Sequence, residues 1–267
     1  MILYVYSLKS SCYSVEVTQY IEDELKKVYR DIVCMSFNEF KEFSLDGISH
    51  IIFSGGDGTF HNLINIVKDK DIVLGYIPLG TANDMGRNLG IKNYKTALDV
   101  LKKNNVKEYN LIEIEDNKHK EYVNYALCFG NMAKVSNNAL KKNTKRLHKF
   151  DYLLRGCRYL LCKRSEVFVI INNKEYRKKV RALIIYRTKT LVGYKITNKT
   201  TDQLMVTFIR NIFDLGFMFI LHHPKIIYTD SIKINTNAIS SLDGEQGDFS
   251  NCMVRISNKK IKIYANN

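Results

Sequence analysis

The stretch IIFSGGDGTFHNLI, residues 51–64, ends an apolar run with glycines and one acid. Its first three residues are typical of a buried strand, and the residues from Thr59 onward have the apolar spacing of a helix. Three glycines and Asp57 therefore stand where a strand passes into a helix. Such a junction presents backbone N–H groups at the positive end of the helix dipole, and this geometry binds phosphate.

The glycines of this loop would let phosphate oxygens approach the backbone without meeting a Cβ atom. A carboxylate beside bound phosphates has a role if it holds Mg²⁺ directly or through water, so we expect Asp57 to lie in an exposed loop. The alternative is a glycine-rich turn in which Asp57 only caps the helix. The spacing matches neither the P-loop nor the G-x-G-x-x-G pattern.

A second polar loop, IPLGTANDMGRNLG at residues 77–90, follows the next apolar strand. It contains Gly80, Thr81, Asn83 and Asp84. Ligands of open α/β sheets bind at the carboxyl ends of neighbouring strands, so we expect the two loops to face each other across one crevice. Thr81 can hydrogen-bond a phosphate, and Asp84 either caps its helix or reaches the ligand.

Strands and helices alternate over about the first hundred residues, which predicts a doubly wound parallel sheet. Ser14 and Thr96 are the expected N-caps of two of the helices. After about residue 106 strands dominate, and the pattern indicates an antiparallel sandwich or barrel. Single strands are predicted over 226–235, 252–257 and 260–265, with a hairpin turn at Asn172 and Asn173. A helix rich in Lys and Arg is predicted over 136–162.

The chain carries 41 Lys and Arg against 27 Asp and Glu, a net charge of +14. That excess favours a polyanionic partner, although an AT-rich genome would also enrich Lys. The basic segment 141–164 is either a solvated helix face or a contact for anionic headgroups. No nucleic-acid recognition motif accompanies the charge, so we expect no nucleic-acid partner.

The longest apolar run, 212–221, is interrupted by Asp214 and Gly216 and is too short to span a bilayer. We therefore expect peripheral contact with an anionic membrane. None of the six cysteines forms a C-x-x-C pair, and the chain start lacks a basic signal-peptide region. Reduced thiols and a cytoplasmic protein are the expectation.

GGDGT, followed by PLGTANDMGRNLG and by SLDGEQG at 241–247, resembles the catalytic domain of the diacylglycerol kinase family. The resemblance implies a nucleotide-binding α/β domain over 1–112, to which a tail over 258–267 can return. It also implies a β-sandwich domain for the lipid over 113–257, with the active site between the two domains. ATP and Mg²⁺ are the implied cofactors.

The same resemblance implies roles for individual residues. Asp243 or Glu245 would act as general base on the lipid hydroxyl, and the choice between them stays open. Where the family has an Asn-Pro-x-x-Gly-like loop, this chain has serines, of which Ser7 is the expected substitute. Asp202 alone remains of an acidic stretch that holds a structural magnesium in some members, and Asp57 is the other expected metal ligand. Contacts with the ATP phosphates, with magnesium or with the rest of the nucleotide are implied for Gly55, Gly56, Asp57, Gly58, Thr59, Thr81, Asn83 and Asp84.

These observations predict an ATP-dependent lipid kinase that transfers the γ-phosphoryl group to a hydroxyl of a lipid such as diacylglycerol. Two alternatives remain open: an NAD-kinase-like enzyme with a soluble acceptor, and a nucleotide-binding pseudokinase with a regulatory role. Neither the acceptor lipid nor a homodimer is specified by the sequence, because a lipid pocket is built from dispersed apolar side chains.

Overall fold

The computed structural model describes residues 1–133, 163–198 and 201–266. The chain divides into two compact units, Met1–Asn110 with Lys259–Asn267, and Leu111–Asn258. The first unit is α/β and the second consists mainly of antiparallel strands, so the predicted fold class is confirmed. The predicted basic helix over 136–162 lies outside the described residues.

The sheet of the first unit has the strand order β2-β1-β3-β4, and each neighbouring pair is parallel. Residues 262–263 of the chain's last strand pair in parallel with β4. Near-continuous burial of β1, β3 and β4 explains their unbroken apolar sequences. The strands are β1 (Ile2–Tyr6), β2 (Ile32–Ser36), β3 (His50–Gly55) and β4 (Val73–Pro78).

The helices of this unit are α1 (Val15–Val28), α2 (Phe37–Phe40), α3 (Asp57–Val67), α4 (Asp84–Asn88) and α5 (Tyr94–Lys102). Ser14 caps α1 as predicted, since its hydroxyl accepts the N–H of Val17 at 3.1 Å. The prediction for α5 is wrong, because Asn93 is the cap and accepts the N–H of Thr96 at 2.9 Å. Asn is the stronger N-cap residue of the two.

An aromatic cluster holds α3 against the sheet. Phe60 of α3 is fully buried, with its ring centroid 4.7 Å from that of Tyr76 on β4 and 5.9 Å from that of Phe53 on β3. Aromatic rings at such distances stabilise the fold by more than the burial of their apolar area alone. The junction between β3 and α3, which is the glycine loop, is therefore anchored on both sides.

The second unit is an antiparallel sandwich. One sheet has the order β14-β13-β10-β7-β16-β17. In the other group of strands, β15 pairs with β8 and with β18, and β8 also pairs with β9. Strand β5 pairs with β6. Fully buried residues of both groups of strands, such as Val167, Leu183, Val206 and Ile232, share one core. The strands are β5 (Val106–Glu115), β6 (Lys120–Val123), β7 (Ala126–Phe129), β8 (Ser165–Ile171), β9 (Lys174–Val180), β10 (Ala182–Tyr186), β11 (Thr190–Leu191), β12 (Tyr194–Lys195), β13 (Leu204–Ile209), β14 (Ile227–Thr229), β15 (Ser231–Asn235), β16 (Ser240–Leu242), β17 (Glu245–Gly247) and β18 (Asn251–Tyr264).

Two strand predictions need correction. The predicted strand over 226–235 breaks at Asp230, because β14 pairs with β13 in one sheet while β15 pairs with β8 and β18 in the other. The predicted strands over 252–257 and 260–265 are one strand, β18, whose polar middle residues are exposed without ending it. The hairpin turn is confirmed: Asn172 and Asn173 have φ of 50° and 61°, as a type I′ turn requires.

The apolar run at 212–221 forms the helix α6 (Ile212–Phe219), capped by Asn211, whose side chain accepts the N–H of Asp214 at 3.0 Å. Met218 is the one residue of α6 that is buried. No helix in the described parts of the chain is both long and apolar enough to cross a membrane.

Replacing Phe60 by Ala should lower the free energy of unfolding by about 3–5 kcal/mol, because the change leaves a cavity between β3, β4 and α3. Ile66→Ala is the matched control on the same helix. Because Ile66 is 39% exposed, its replacement should lower the free energy of unfolding much less. Denaturant unfolding followed by circular dichroism measures both. Equal losses for the two variants would contradict the anchoring of the glycine loop by Phe60.

Candidate functional site

The two glycine loops of the first unit touch. A Cβ atom at Gly80 would lie 2.7 Å from the Cα atom of Gly56, a distance that real side chains do not show. Glycine at position 80 is therefore a packing requirement. The expectation that the two loops face each other at the carboxyl ends of β3 and β4 is confirmed.

Asp57 joins the loops through hydrogen bonds. Its Oδ2 accepts the backbone N–H of Asp84 at 3.0 Å, and its Oδ1 accepts the N–H of Met85 at 3.2 Å. The hydroxyl of Tyr76 lies 3.2 Å from the same Oδ1. Asp57 is only 9% exposed, so the expectation that it lies in an exposed loop is wrong. The carboxylate accepts N–H groups of the first turn of α4.

Tyr76 is the residue of this arrangement that the sequence did not reveal. It lies within an apolar strand, 1% exposed, and its hydroxyl is also 3.3 Å from the carbonyl oxygen of Gly55. Burial, and next to it the carboxylate of Asp57, raise the pKa of Tyr76 well above its ordinary value. The phenol therefore stays protonated and can donate a hydrogen bond to the loop at any physiological pH.

The first turn of α3 has no side-chain cap. Its N-cap is Gly56, and the first hydrogen bond within the helix runs from the N–H of Phe60 to the carbonyl oxygen of Gly56 at 3.1 Å. The N–H groups of Gly58 and Thr59 have no acceptor within the helix, and both residues are half-buried. These N–H groups are suited to an anion.

Asn83 shapes the second loop. It adopts a left-handed conformation with φ of 52°, and its side chain makes two hydrogen bonds with the backbone of Gly80, at 2.8 and 2.7 Å. Asp84 is 1% exposed, and one of its carboxylate oxygens lies 3.9 Å from Arg87. Both residues thus hold the loop in place, and their predicted contact with a nucleotide stays a prediction.

The loop that follows β1 joins the other two. The N–H of Cys12 donates to the carbonyl oxygen of Leu79 at 3.0 Å, and the hydroxyl of Thr81 donates to that of Ser11 at the same distance. Ser7 is buried, with its hydroxyl 3.3 Å from that of Thr59. Three loops at one edge of one sheet therefore converge, and they bring together the sequence-predicted residues of this unit: Ser7, Gly55, Gly56, Asp57, Gly58, Thr59, Thr81, Asn83 and Asp84.

The two acids of the second unit differ sharply. Asp243 is 4% exposed and accepts four N–H groups: Oδ1 from Tyr125 and Ala126 at 3.0 and 3.2 Å, and Oδ2 from the backbone and side chain of Asn124 at 2.6 and 2.9 Å. A carboxylate has about four acceptor positions, so protein donors fill them. Asp243 has φ of 49° and forms the tight turn between β16 and β17 with Gly244.

Glu245 begins β17 on the other side of that turn and is half-buried. Within the described ranges its carboxylate makes no hydrogen bond or ion pair. Its oxygens therefore remain available to a ligand, whereas those of Asp243 do not. The assignment of either acid as the general base stays a prediction.

Asp202 is exposed and lies two residues before β13. Across the part of the chain that the structure describes, no three His, Cys, Asp or Glu side chains gather as metal ligands. The assignment of Asp57 and Asp202 to metal binding stays a prediction.

Comparison with known proteins shows what the chain is similar to. Residues 7–114 match the model of the diacylglycerol kinase catalytic domain. A diacylglycerol kinase of Staphylococcus aureus is 27% identical over 218 residues, which cover 74% of this chain and 68% of that protein. The resemblance that the sequence motifs indicated is confirmed.

Solved structures share the fold. A diacylglycerol kinase of Bacillus anthracis superposes with a TM-score of 0.77 at 18% identity, covering 99% of this chain and 96% of that one. An NAD kinase of Archaeoglobus fulgidus, solved in complex with ATP, gives 0.60 at 15% identity, covering 100% and 94%. At these identities the likeness concerns the fold.

Asp57→Asn should destabilise the first unit by about 1–3 kcal/mol, because the amide offers one acceptor oxygen where two N–H groups and a hydroxyl now bind. Thermal unfolding in the absence of nucleotide measures the loss. Asp46→Asn is the control for the change of charge, since the side chain of Asp46 is 86% exposed. An Asp57→Asn protein that unfolds like the wild type would show that the carboxylate does not hold the loops together.

Proposed function

We propose that this protein is an ATP-dependent lipid kinase, because residues 7–114 match the model of the diacylglycerol kinase catalytic domain. It transfers the γ-phosphoryl group of ATP to a hydroxyl of a lipid, with diacylglycerol as the first candidate. The observation that carries the proposal is the convergence of three loops, two of them joined by Asp57, around the uncapped start of α3.

The first unit holds the nucleotide. Backbone N–H groups of Gly58 and Thr59 at the start of α3 bind phosphate oxygens, assisted by the helix dipole. The glycines at 56 and 80 let the two loops pack against each other beside these N–H groups. The half-buried hydroxyl of Thr81 donates to Ser11 and would donate to a phosphate only by turning away from that serine.

Magnesium fits this site as a companion of the nucleotide. Mg²⁺ at nucleotide sites is usually held by one or two carboxylates together with substrate phosphates, and it offsets their negative charge. The carboxylate of Asp57 already accepts hydrogen bonds from two N–H groups and one hydroxyl. Its role toward the metal is therefore indirect, through water or by holding the loops in shape.

The second unit supplies the base. Glu245 accepts the proton of the lipid hydroxyl as the oxygen attacks the γ-phosphorus, because its carboxylate is available and that of Asp243 is not. Asp243 keeps the turn in the conformation that presents Glu245. The acceptor is a membrane lipid, so the protein acts at an anionic membrane surface, to which its charge of +14 draws it.

The direct test is transfer from ATP labelled on the γ-phosphorus to a panel of lipids in mixed micelles, with NAD as a control acceptor. Label in the organic extract with diacylglycerol supports the proposal. Label in NADP instead would favour the NAD-kinase-like alternative. ATP binding without transfer to any acceptor would favour the pseudokinase.

Glu245→Gln should reduce turnover by about a hundredfold or more while ATP binding stays unchanged, because a general base acts only in the chemical step. Calorimetry and the transfer assay separate these effects. Asp248→Asn, at an exposed acid three residues further along, is the matched control and should change neither. A Glu245→Gln protein with full turnover would rule out this residue as the base.

Asp243→Asn should behave differently and lower the free energy of unfolding by about 1–3 kcal/mol, since one or more of its four N–H donors loses its acceptor. Asn tolerates a positive φ, so the backbone of the turn is not the cause. Thermal unfolding checks this. If the variant is as stable as the wild type but loses turnover, Asp243 takes part in the chemistry rather than in the turn.

A further inference from the structure

The helix α6 exposes an apolar face to solvent. Ile212, Phe213, Phe217, Ile220 and Leu221 are between 49% and 75% exposed. Four of them have the spacing i, i+4, i+7 and i+8, which places them along one side of a helix. We call these five residues the α6 face. Large contiguous exposed apolar patches mark interaction sites rather than ordinary surface.

The opposite side of α6 fixes the helix to the second unit. Met218 is fully buried, and the ring of Phe219 meets that of Tyr194 edge-on at 6.4 Å. Asn211 caps the helix, and Asp214 forms a salt bridge with Arg210 at 3.2 Å. The α6 face is therefore displayed by an anchored helix and is not the result of a loosely packed segment.

We propose that the α6 face inserts into the surface of an anionic lipid membrane, so that the kinase takes its acceptor from the bilayer on which it sits. This inference rests on the proposed function for the choice of a lipid substrate. It differs from the expectation drawn from the sequence, which placed the membrane contact on the basic segment 141–164.

The charged residues near the α6 face favour an anionic membrane surface over other binding partners. Asp214 is neutralised by Arg210, and the sequence contains no further acid until Asp230. Lys195, next to Tyr194, and Lys225, six residues beyond the helix end, are both exposed. Insertion of apolar side chains beside lysines that meet anionic headgroups is the arrangement that interfacial helices use.

Shape favours a bilayer over a second copy of the chain. The surface at Gly216 is open, because a Cβ atom there would meet nothing within 4 Å. A protein partner needs a complementary surface with a polar rim that sets the orientation, whereas a bilayer accepts any protruding apolar group. An eight-residue helix is also far too short to span the bilayer, so it lies in the interface.

The chain contains no tryptophan, which allows a direct test. Phe213→Trp places a single reporter on the α6 face, and Val15→Trp places one at a residue of α1 that is 67% exposed. With vesicles of phosphatidylcholine and phosphatidylglycerol, we expect the emission of the first to shift to the blue. Lipids brominated on the acyl chains should quench it, while the second reporter stays unchanged.

A second variant measures the contribution to binding. Phe213→Ser with Ile220→Ser should weaken binding to these vesicles by more than about tenfold, because each apolar side chain contributes at least this factor when buried. Val15→Ser is the control. Unfolding temperatures of both variants should match that of the wild type, since these side chains are exposed.

The outcomes are distinct. If the tryptophan at position 213 is not quenched by brominated lipids, or if the double serine variant binds vesicles as the wild type does, the proposal is wrong. If the double variant instead converts a dimer into a monomer in sedimentation without changing vesicle binding, the α6 face is a contact between copies. None of these readouts uses phosphoryl transfer, so a failure here leaves the proposed kinase activity standing.

Discussion

The first unit depends on the hydrogen bonds that the Asp57 carboxylate receives from the N–H groups of Asp84 and Met85. They join the start of α3 to the start of α4, two helices that follow neighbouring parallel strands. Without a buried acceptor, the first turn of α4 would leave N–H groups unsatisfied, at a cost of about 1–3 kcal/mol each. The close approach of Gly56 and Gly80 is the packing counterpart of the same bonds.

The second unit also contains a buried aspartate that accepts backbone N–H groups. Asp243 gathers four N–H groups from the 124–126 segment at the tight turn that precedes Glu245. In both units an aspartate that the sequence assigns to the site serves to hold the backbone. The groups that remain available to ligands are its neighbours: the uncapped N–H groups after Asp57, and the carboxylate of Glu245 after Asp243.

Local signals in the sequence predicted the architecture well. Strand and helix periods, the glycines at 55, 56, 58 and 80, the Ser14 cap and the Asn172–Asn173 turn all depend on a few adjacent residues. What the sequence could not predict depends on distant partners. The carboxylate of Asp57 accepts a hydrogen bond from Asp84, 27 residues away, and that of Asp243 accepts one from Asn124, 119 residues away. The break at Asp230 reflects a switch between sheets, and the exposure of α6 appears only once the surrounding strands are in place.

The central claim is that three loops of the first unit form a nucleotide site around the start of α3. A crystal structure of the protein with magnesium and a non-hydrolysable ATP analogue tests it most directly. The account predicts phosphate oxygens within hydrogen-bonding distance of the backbone N–H groups of Gly58 and Thr59, with the Asp57 carboxylate still bound to α4. A nucleotide bound elsewhere, or an Asp57 that has left the N–H groups of Asp84 and Met85, would contradict it.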